Sequence, residues 1–126
     1  MNVLVRAIAR DNIKQSEIAK RELASASLVA VSLSSLCELV WVLSTIYNLP
    51  REKIAAAIRA LSAGGNVSMN RPAVEAGLKL LEAGGDFADG VIAFEGRWLG
   101  GETFVSFDKQ AVKLLKSAGE AARLLA

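Results

Sequence analysis

Short β-type apolar runs alternate with helix-period segments along the whole chain, and this alternation constrains the fold more than any other feature. Asn2-Val3-Leu4-Val5, Leu28-Val29-Ala30-Val31, Asn66-Val67-Ser68-Met69, Thr103-Phe104-Val105-Ser106-Phe107 and Ala122 to Leu125 read as strands. The second is continuous rather than alternating, as in a strand covered on both faces. Between the runs lie helical patterns with local start and stop signals. Asp11-Asn12 opens the first, carried by Ile13, Ile18 and Leu23. Ser32 or Ser34 caps a long helix to about Tyr47, with the stripe Leu36, Leu39, Val40, Leu43 and Ile46. Leu49-Pro50 opens a third, with Pro at or near the first helical position, and Gly64-Gly65 ends it. Asn70 or Pro72 starts a fourth that Gly84-Gly85 closes, Asp86 a fifth that stops at Gly100-Gly101, and Asp108 caps the last. Strands alternating with helices predict an α/β fold: a parallel sheet with helices on both sides and functional groups beyond the carboxyl ends of the strands.

A chain of 126 residues fits one domain. Its hydrophobic content of 52% and mean hydropathy of +0.35 imply extensive burial or a sticky partner surface. Self-association is therefore expected, with the Leu49 to Leu61 region as the face. No apolar run reaches the roughly 18 residues of a membrane span without polar interruption. No basic stretch leads into an apolar one at the N-terminus, so no signal peptide is expected. The single cysteine, Cys37, excludes a disulfide within the chain and reads as a small core residue in a reducing, cytoplasmic compartment. Histidine is absent, which removes imidazole acid–base chemistry, Ser-His triads and His-ligated zinc. A net charge of +2 is too small to imply nucleic acid by itself.

Three carboxylates, Glu38, Asp89 and Asp108, stand in similar settings. Asp86 and Asp89 share a face at the start of the fifth helix, where Phe87, Val91, Phe94 and Trp98 form an apolar stripe. Asp89 lies roughly opposite, in line with Ile92, Ala93 and Gly96, so both sides of this helix read as covered. A carboxylate in covered surroundings is costly without a cation or donors. The plainer alternative is an N-cap Asp86 followed by a solvated Asp89. Glu38 is the only charged residue between Glu22 and Arg51, in an otherwise apolar or hydroxylic helix with Ser34, Ser35 and Thr45 on its face. Either it sits on a polar surface strip or it is aimed at a metal. Asp108 ends the clearest strand. Hard divalent cations prefer oxygen ligands, clustered carboxylates repel one another until a cation neutralises them, and a metal so held activates water and braces a phosphoryl group.

Asn2-Val3-Leu4-Val5-Arg6, Ser35-Leu36-Cys37-Glu38-Leu39, Asp86-Phe87-Ala88-Asp89-Gly90-Val91-Ile92-Ala93 and Val105-Ser106-Phe107-Asp108 occur in one order and cover essentially the whole chain. Together they resemble PIN-domain ribonucleases of the VapC toxin type. The resemblance implies a PIN-like three-layer α/β/α sandwich with a central parallel sheet over residues 1–126. It implies Mg²⁺- or Mn²⁺-dependent cleavage of RNA and neutralisation by a VapB-like antitoxin, often within a homodimer. By the same resemblance, Glu38, Asp89 and Asp108 are the catalytic and metal-binding acids, with Asp86 a supporting residue or only a cap.

One departure matters. The family's first strand carries Asp-Thr-Asn, and here Asn2 matches the Asn, Met1 takes the Thr position, and the Asp is missing. Either the chain begins downstream of its natural start, which the intact remainder favours, or a ligand has been lost. Asn2 then supports the site without replacing the acid. Arg6 and Lys109 are candidates for RNA phosphate, with solvated side chains as the alternative. Lys113, Lys116 and Arg123 read as a solvated face, and Trp98 as core. Two functions remain open: a metal-dependent endoribonuclease toxin, and a catalytically weak or inactive protein that only binds antitoxin or RNA.

Overall fold

The computed structural model describes residues 2–126. The chain divides into two compact units, Met1–Asn70 and Arg71–Ala126.

The first unit contains α1 (Val3–Ala9), α2 (Ile13–Ser25), β1 (Val29–Ala30), α3 (Leu33–Thr45), α4 (Arg51–Ser62) and β2 (Val67–Ser68). Its helices begin where short polar side chains satisfy free backbone N–H groups. Asn2, Asn12 and Ser32 accept from the N–H groups of Val5, Gln15 and Ser35. Helix α1 packs on α2 and α3, and α3 on α4. The fully buried Val5, Leu36, Leu39, Leu43, Ile54 and Ile58 supply the apolar interior. Strands β1 and β2 pair in parallel, Val29 opposite Val67 and Ala30 opposite Ser68. The Asn66 side chain ties this pair to the end of α2, donating to the carbonyls of Leu23 (2.8 Å) and Ala26 (3.0 Å).

The second unit contains α5 (Arg71–Glu82), α6 (Phe87–Trp98), β3 (Phe104–Ser106), α7 (Lys109–Ser117) and β4 (Ala122–Leu124). Helices α5 and α6 make the most extensive contact between elements. Glycine permits it: a Cβ on Gly90 would lie 2.4 Å from the Ala76 carbonyl oxygen, and one on Gly77 2.6 Å from the Phe87 ring. Strands β3 and β4 pair in parallel, Phe104 opposite Ala122. Leu80, Ala93, Val112, Leu115 and Ala122 form a core against which Phe104 and Leu114 pack.

These elements correct the expected architecture. Seven helices among the described residues hold 62% of the chain, and the only pairings there are two separate two-stranded sheets. Among the described residues there is no central parallel sheet and no three-layer α/β/α sandwich. Four of the five expected strands form where the sequence places them and pair in parallel, but each is two or three residues long, too short for a sheet that organises layers. Asn2-Val3-Leu4-Val5 is not a strand. It caps and opens α1, because Asn2 Oδ1 accepts from Val5 N–H (2.9 Å) and burial of Leu4, Val5 and Ala7 follows a helical face. Helix α6 is covered less completely than expected: Phe87, Val91 and, on the other face, Ala93 are buried and Phe94 half-buried, but Trp98 is 83% exposed and Ile92 54%. Trp98 is therefore surface rather than core, since it lies in the last turn of α6, beyond the covered part of the stripe. Cys37 is half-buried rather than core. No described helix is long and apolar enough to cross a membrane.

Candidate acidic site

Within the second unit, Asp86 and Asp108 lie near enough to Asp89 for their charges to act on it. Asp86 is the N-cap of α6, its Oδ1 accepting from Ala88 N–H at 3.2 Å. Asp89 follows in the first turn. Asp108 caps α7, its Oδ1 accepting from Gln110 N–H (2.9 Å) and Ala111 N–H (3.1 Å), while its own N–H donates to Ser106 Oγ (3.0 Å). The start of α7 is fastened to the turn before α6. Gln110 Nε2 donates to the Gly84 carbonyl at 3.0 Å, and Leu114 fills space that a Cβ on Gly85 would take, 2.7 Å from its Cδ1. Gly84 has φ +102°, a conformation side chains resist. The glycine pair that ends α5 thus also lets α7 approach, and so sets Asp108 beside the α6 N-terminus.

Asp89 is the unusual member. It is half-buried, and among the described residues its carboxylate has no hydrogen bond and no ion pair. Burial raises its pKa above the ordinary carboxylate value, and the neighbouring charges of Asp86 and Asp108 raise it further. No cation among the described residues offsets these effects. The α6 N-terminus favours an anion there, though only modestly. Asp86 and Asp108 each spend Oδ1 on a cap and keep Oδ2 without a hydrogen bond among the described residues.

Glu38 and Asn2 meet in the first unit. Glu38 is exposed on α3, and Asn2 Nδ2 donates to its Oε1 at 3.0 Å and to the Ser35 carbonyl at 3.4 Å. Asn2 thus caps α1 and restrains Glu38 at once. Arg6 pairs with Asp11 (3.1 Å), whose other oxygen accepts from the Tyr47 hydroxyl (2.7 Å). That hydrogen bond lowers the pKa of Asp11, with help from the Arg6 charge, and raises that of Tyr47, which the Arg6 charge opposes. The Tyr47–Asp11 contact spans 36 positions and leaves no local signal by which sequence reasoning could find it. Arg6 also borders a groove of about 300 Å³ between α1 and α2, walled by Val3, Ile18 and Ala19. Lys109 is exposed in the first turn of α7.

Among the described residues, no group of three or more Asp, Glu or Cys closes into a ready metal cage. The donor chemistry of the second unit fits a more open arrangement. Mg²⁺ keeps several waters and is commonly held by one or two carboxylates. Asp89, with the spare oxygens of Asp86 and Asp108 nearby, offers hard donors whose mutual repulsion such a cation relieves. The recess between α6 and β3, about 230 Å³ and lined by Ile92, Gly96, Thr103 and Val105 among others, has no carboxylate, so the acids lie outside it. Comparison with protein families, with curated proteins and with solved structures finds no match.

Proposed function

We propose that this chain is a Mg²⁺- or Mn²⁺-dependent ribonuclease of the VapC toxin kind, with its metal-binding acids in the second unit. The observation that carries the reading is Asp89: a half-buried carboxylate with no donor, raised by burial and by two neighbouring carboxylates. Such a group is a liability to the fold unless a cation or proton joins it. Asp89 anchors the metal, and Asp108 and Asp86 supply further oxygen or hold its waters. A divalent ion bound there lowers the pKa of its water and steadies a phosphoryl group. Asp108 and Asp86 are locked by their caps, so their free oxygens are held in place rather than swinging in solvent. Glu38, restrained by Asn2 within the first unit, is a separate candidate acid with its own test, Glu38→Gln. A VapB-like antitoxin and a second copy of the chain are the proposed protein partners.

A second reading has its own support. The absence of a ready group of three ligands among the described residues favours a protein that binds RNA or antitoxin and cleaves weakly or not at all. One assay separates them: Mn²⁺-dependent cleavage of structured RNA by the unaltered chain, Asp89→Asn and Glu38→Gln. The ribonuclease reading expects cleavage that needs the metal and falls about a hundredfold or more in Asp89→Asn, as misplaced reacting groups do. Equal rates in Asp89→Asn and the unaltered chain would defeat it, and no cleavage by any of the three supports the binding-only reading.

A further inference from the structure

Phe107 stands in water next to the acids. It is 76% exposed and directly precedes Asp108, at the carboxyl end of β3. An aromatic ring so placed forgoes the large apolar burial that rings ordinarily gain. On the other side of Asp108 begins a row of cations. Lys109, Lys113 and Lys116 fall at i, i+4 and i+7, all exposed, on a face of α7 away from the buried Ala111, Val112 and Leu115. None of the three lysine side chains has an ion pair or hydrogen bond among the described residues. The row runs about 10 Å along the helix.

We propose that Phe107 and the lysine row of α7 form a tract for single-stranded RNA leading out of the acidic site. The ring stacks an unpaired base beside the phosphate to be cleaved, and the lysines hold the phosphates that follow. The proposal rests on the ribonuclease reading above and names its substrate form. Charge and chemistry select the occupant. An acidic peptide would satisfy the lysines but would leave the exposed ring unmatched. Duplex RNA keeps its base faces inside the stack, where a surface ring does not reach them. A single strand offers both a base face and a regular series of phosphates, the pairing that single-strand-binding proteins use.

The test is fluorescence anisotropy of a labelled, mixed-sequence single-stranded RNA of about 12 nucleotides, titrated with the full chain in EDTA so that nothing is cleaved. Phe107→Ala weakens binding roughly tenfold or more, as loss of one base–aromatic stack does, and Phe107→Trp keeps it. Lys113→Gln with Lys116→Gln flattens the dependence of log K on log salt by about 1.4, since each phosphate contact on a single strand contributes about 0.7. Phe107 is at the surface, so Phe107→Ala leaves the circular-dichroism melt unchanged. Unaltered affinity in Phe107→Ala overturns the proposal. So does an unmodified chain that prefers the matched duplex or polyglutamate, or that binds none of the three. The same variants in the Mn²⁺ cleavage assay keep the two readings apart. If Asp89→Asn loses cleavage while Phe107→Ala retains its RNA affinity, the nuclease stands and the tract falls. If Phe107→Ala loses affinity while no variant cleaves, the tract stands and the nuclease falls.

Discussion

Two glycines on α6 give the sharpest test of how the second unit is held together. Gly90 and Gly96 lie on the same helix, and replacing either with Ala removes the same backbone penalty, about 0.5–1 kcal/mol in favour of the folded state. Their surroundings differ. A Cβ on Gly96 meets nothing within 4 Å. A Cβ on Gly90 lies 2.4 Å from the Ala76 carbonyl oxygen, 2.8 Å from Gly77 Cα and 2.9 Å from Ala76 C. All three obstacles are α5 backbone, so no rotamer change relieves the contact and the two helices must separate by about 1 Å to reach ordinary spacing. Overpacking of a close-packed core costs about 1–3 kcal/mol, and a backbone obstacle belongs at the top of that range. Gly96→Ala should therefore stabilise by about 0.5–1 kcal/mol, and Gly90→Ala should destabilise by about 2 kcal/mol net. The propensity gain is common to both, so their difference isolates the α5–α6 contact. In urea denaturation with a slope near 2 kcal/mol/M, the Gly90→Ala midpoint falls by about 1 M and the Gly96→Ala midpoint rises slightly. If both midpoints rise together, α5 and α6 do not approach as closely as described, and the argument for the packing of this unit fails.

Asp89→Asn should stabilise the metal-free chain at neutral pH, because a carboxyl raised in the folded state costs stability wherever it is ionised. The advantage should shrink as pH falls through the folded pKa and vanish below the unfolded one, and added Mn²⁺ should favour the unaltered chain instead; melts across pH in EDTA and in Mn²⁺ check this, and a pH-independent difference would refute it. Tyr47→Phe should bring the Asp11 titration up towards its ordinary value. Asp11 is depressed, so its contribution exists above the unfolded pKa and is lost as pH falls through the folded one; carboxyl NMR reads the midpoint, and an unmoved midpoint counts against the Tyr47 contact. Asn66→Ala removes two donors to main-chain carbonyls and should cost about 1–3 kcal/mol in chemical denaturation, whereas a loss under 0.5 kcal/mol would mean that those hydrogen bonds do not tie β2 to α2.

What the sequence revealed of the fold was what is local. Asn12, Ser32, Asp86 and Asp108 are legible as helix starts because a cap joins residues two or three apart. The glycine pairs are legible as stops for the same reason. Strand length was not legible. Leu28 to Val31 has the composition of a covered strand, yet only Val29 and Ala30 pair, because length is set by a partner some 38 positions away rather than by the run itself. Val3-Leu4-Val5 is ambiguous between the two periods, and Asn2 decides it by capping a helix that continues unbroken to Ala9. Trp98 shows the opposite failure: the helical period extends the stripe correctly along α6, but period says nothing about whether a neighbouring element reaches that far.

The site divides along the same line. Asp89 was legible as a carboxylate at a helix start, but not as the one left without a donor. That follows from Asp86 and Asp108 both turning an oxygen towards their own helices, and from α7 being fastened to the Gly84-Gly85 turn. A cap and a metal ligand look alike in sequence because both are acids at the start of a helix. They differ in what happens to the charge. A capped Asp shares it with backbone N–H groups, whereas Asp89 has no such partner and is crowded by the two that do. The sequence brings forward Glu38, Asp89 and Asp108, with Asp86 as a lesser candidate, and the hydrogen bonds single out Asp89. Asp89 gains most from a cation, so it is the residue whose replacement should separate metal-dependent activity from mere folding.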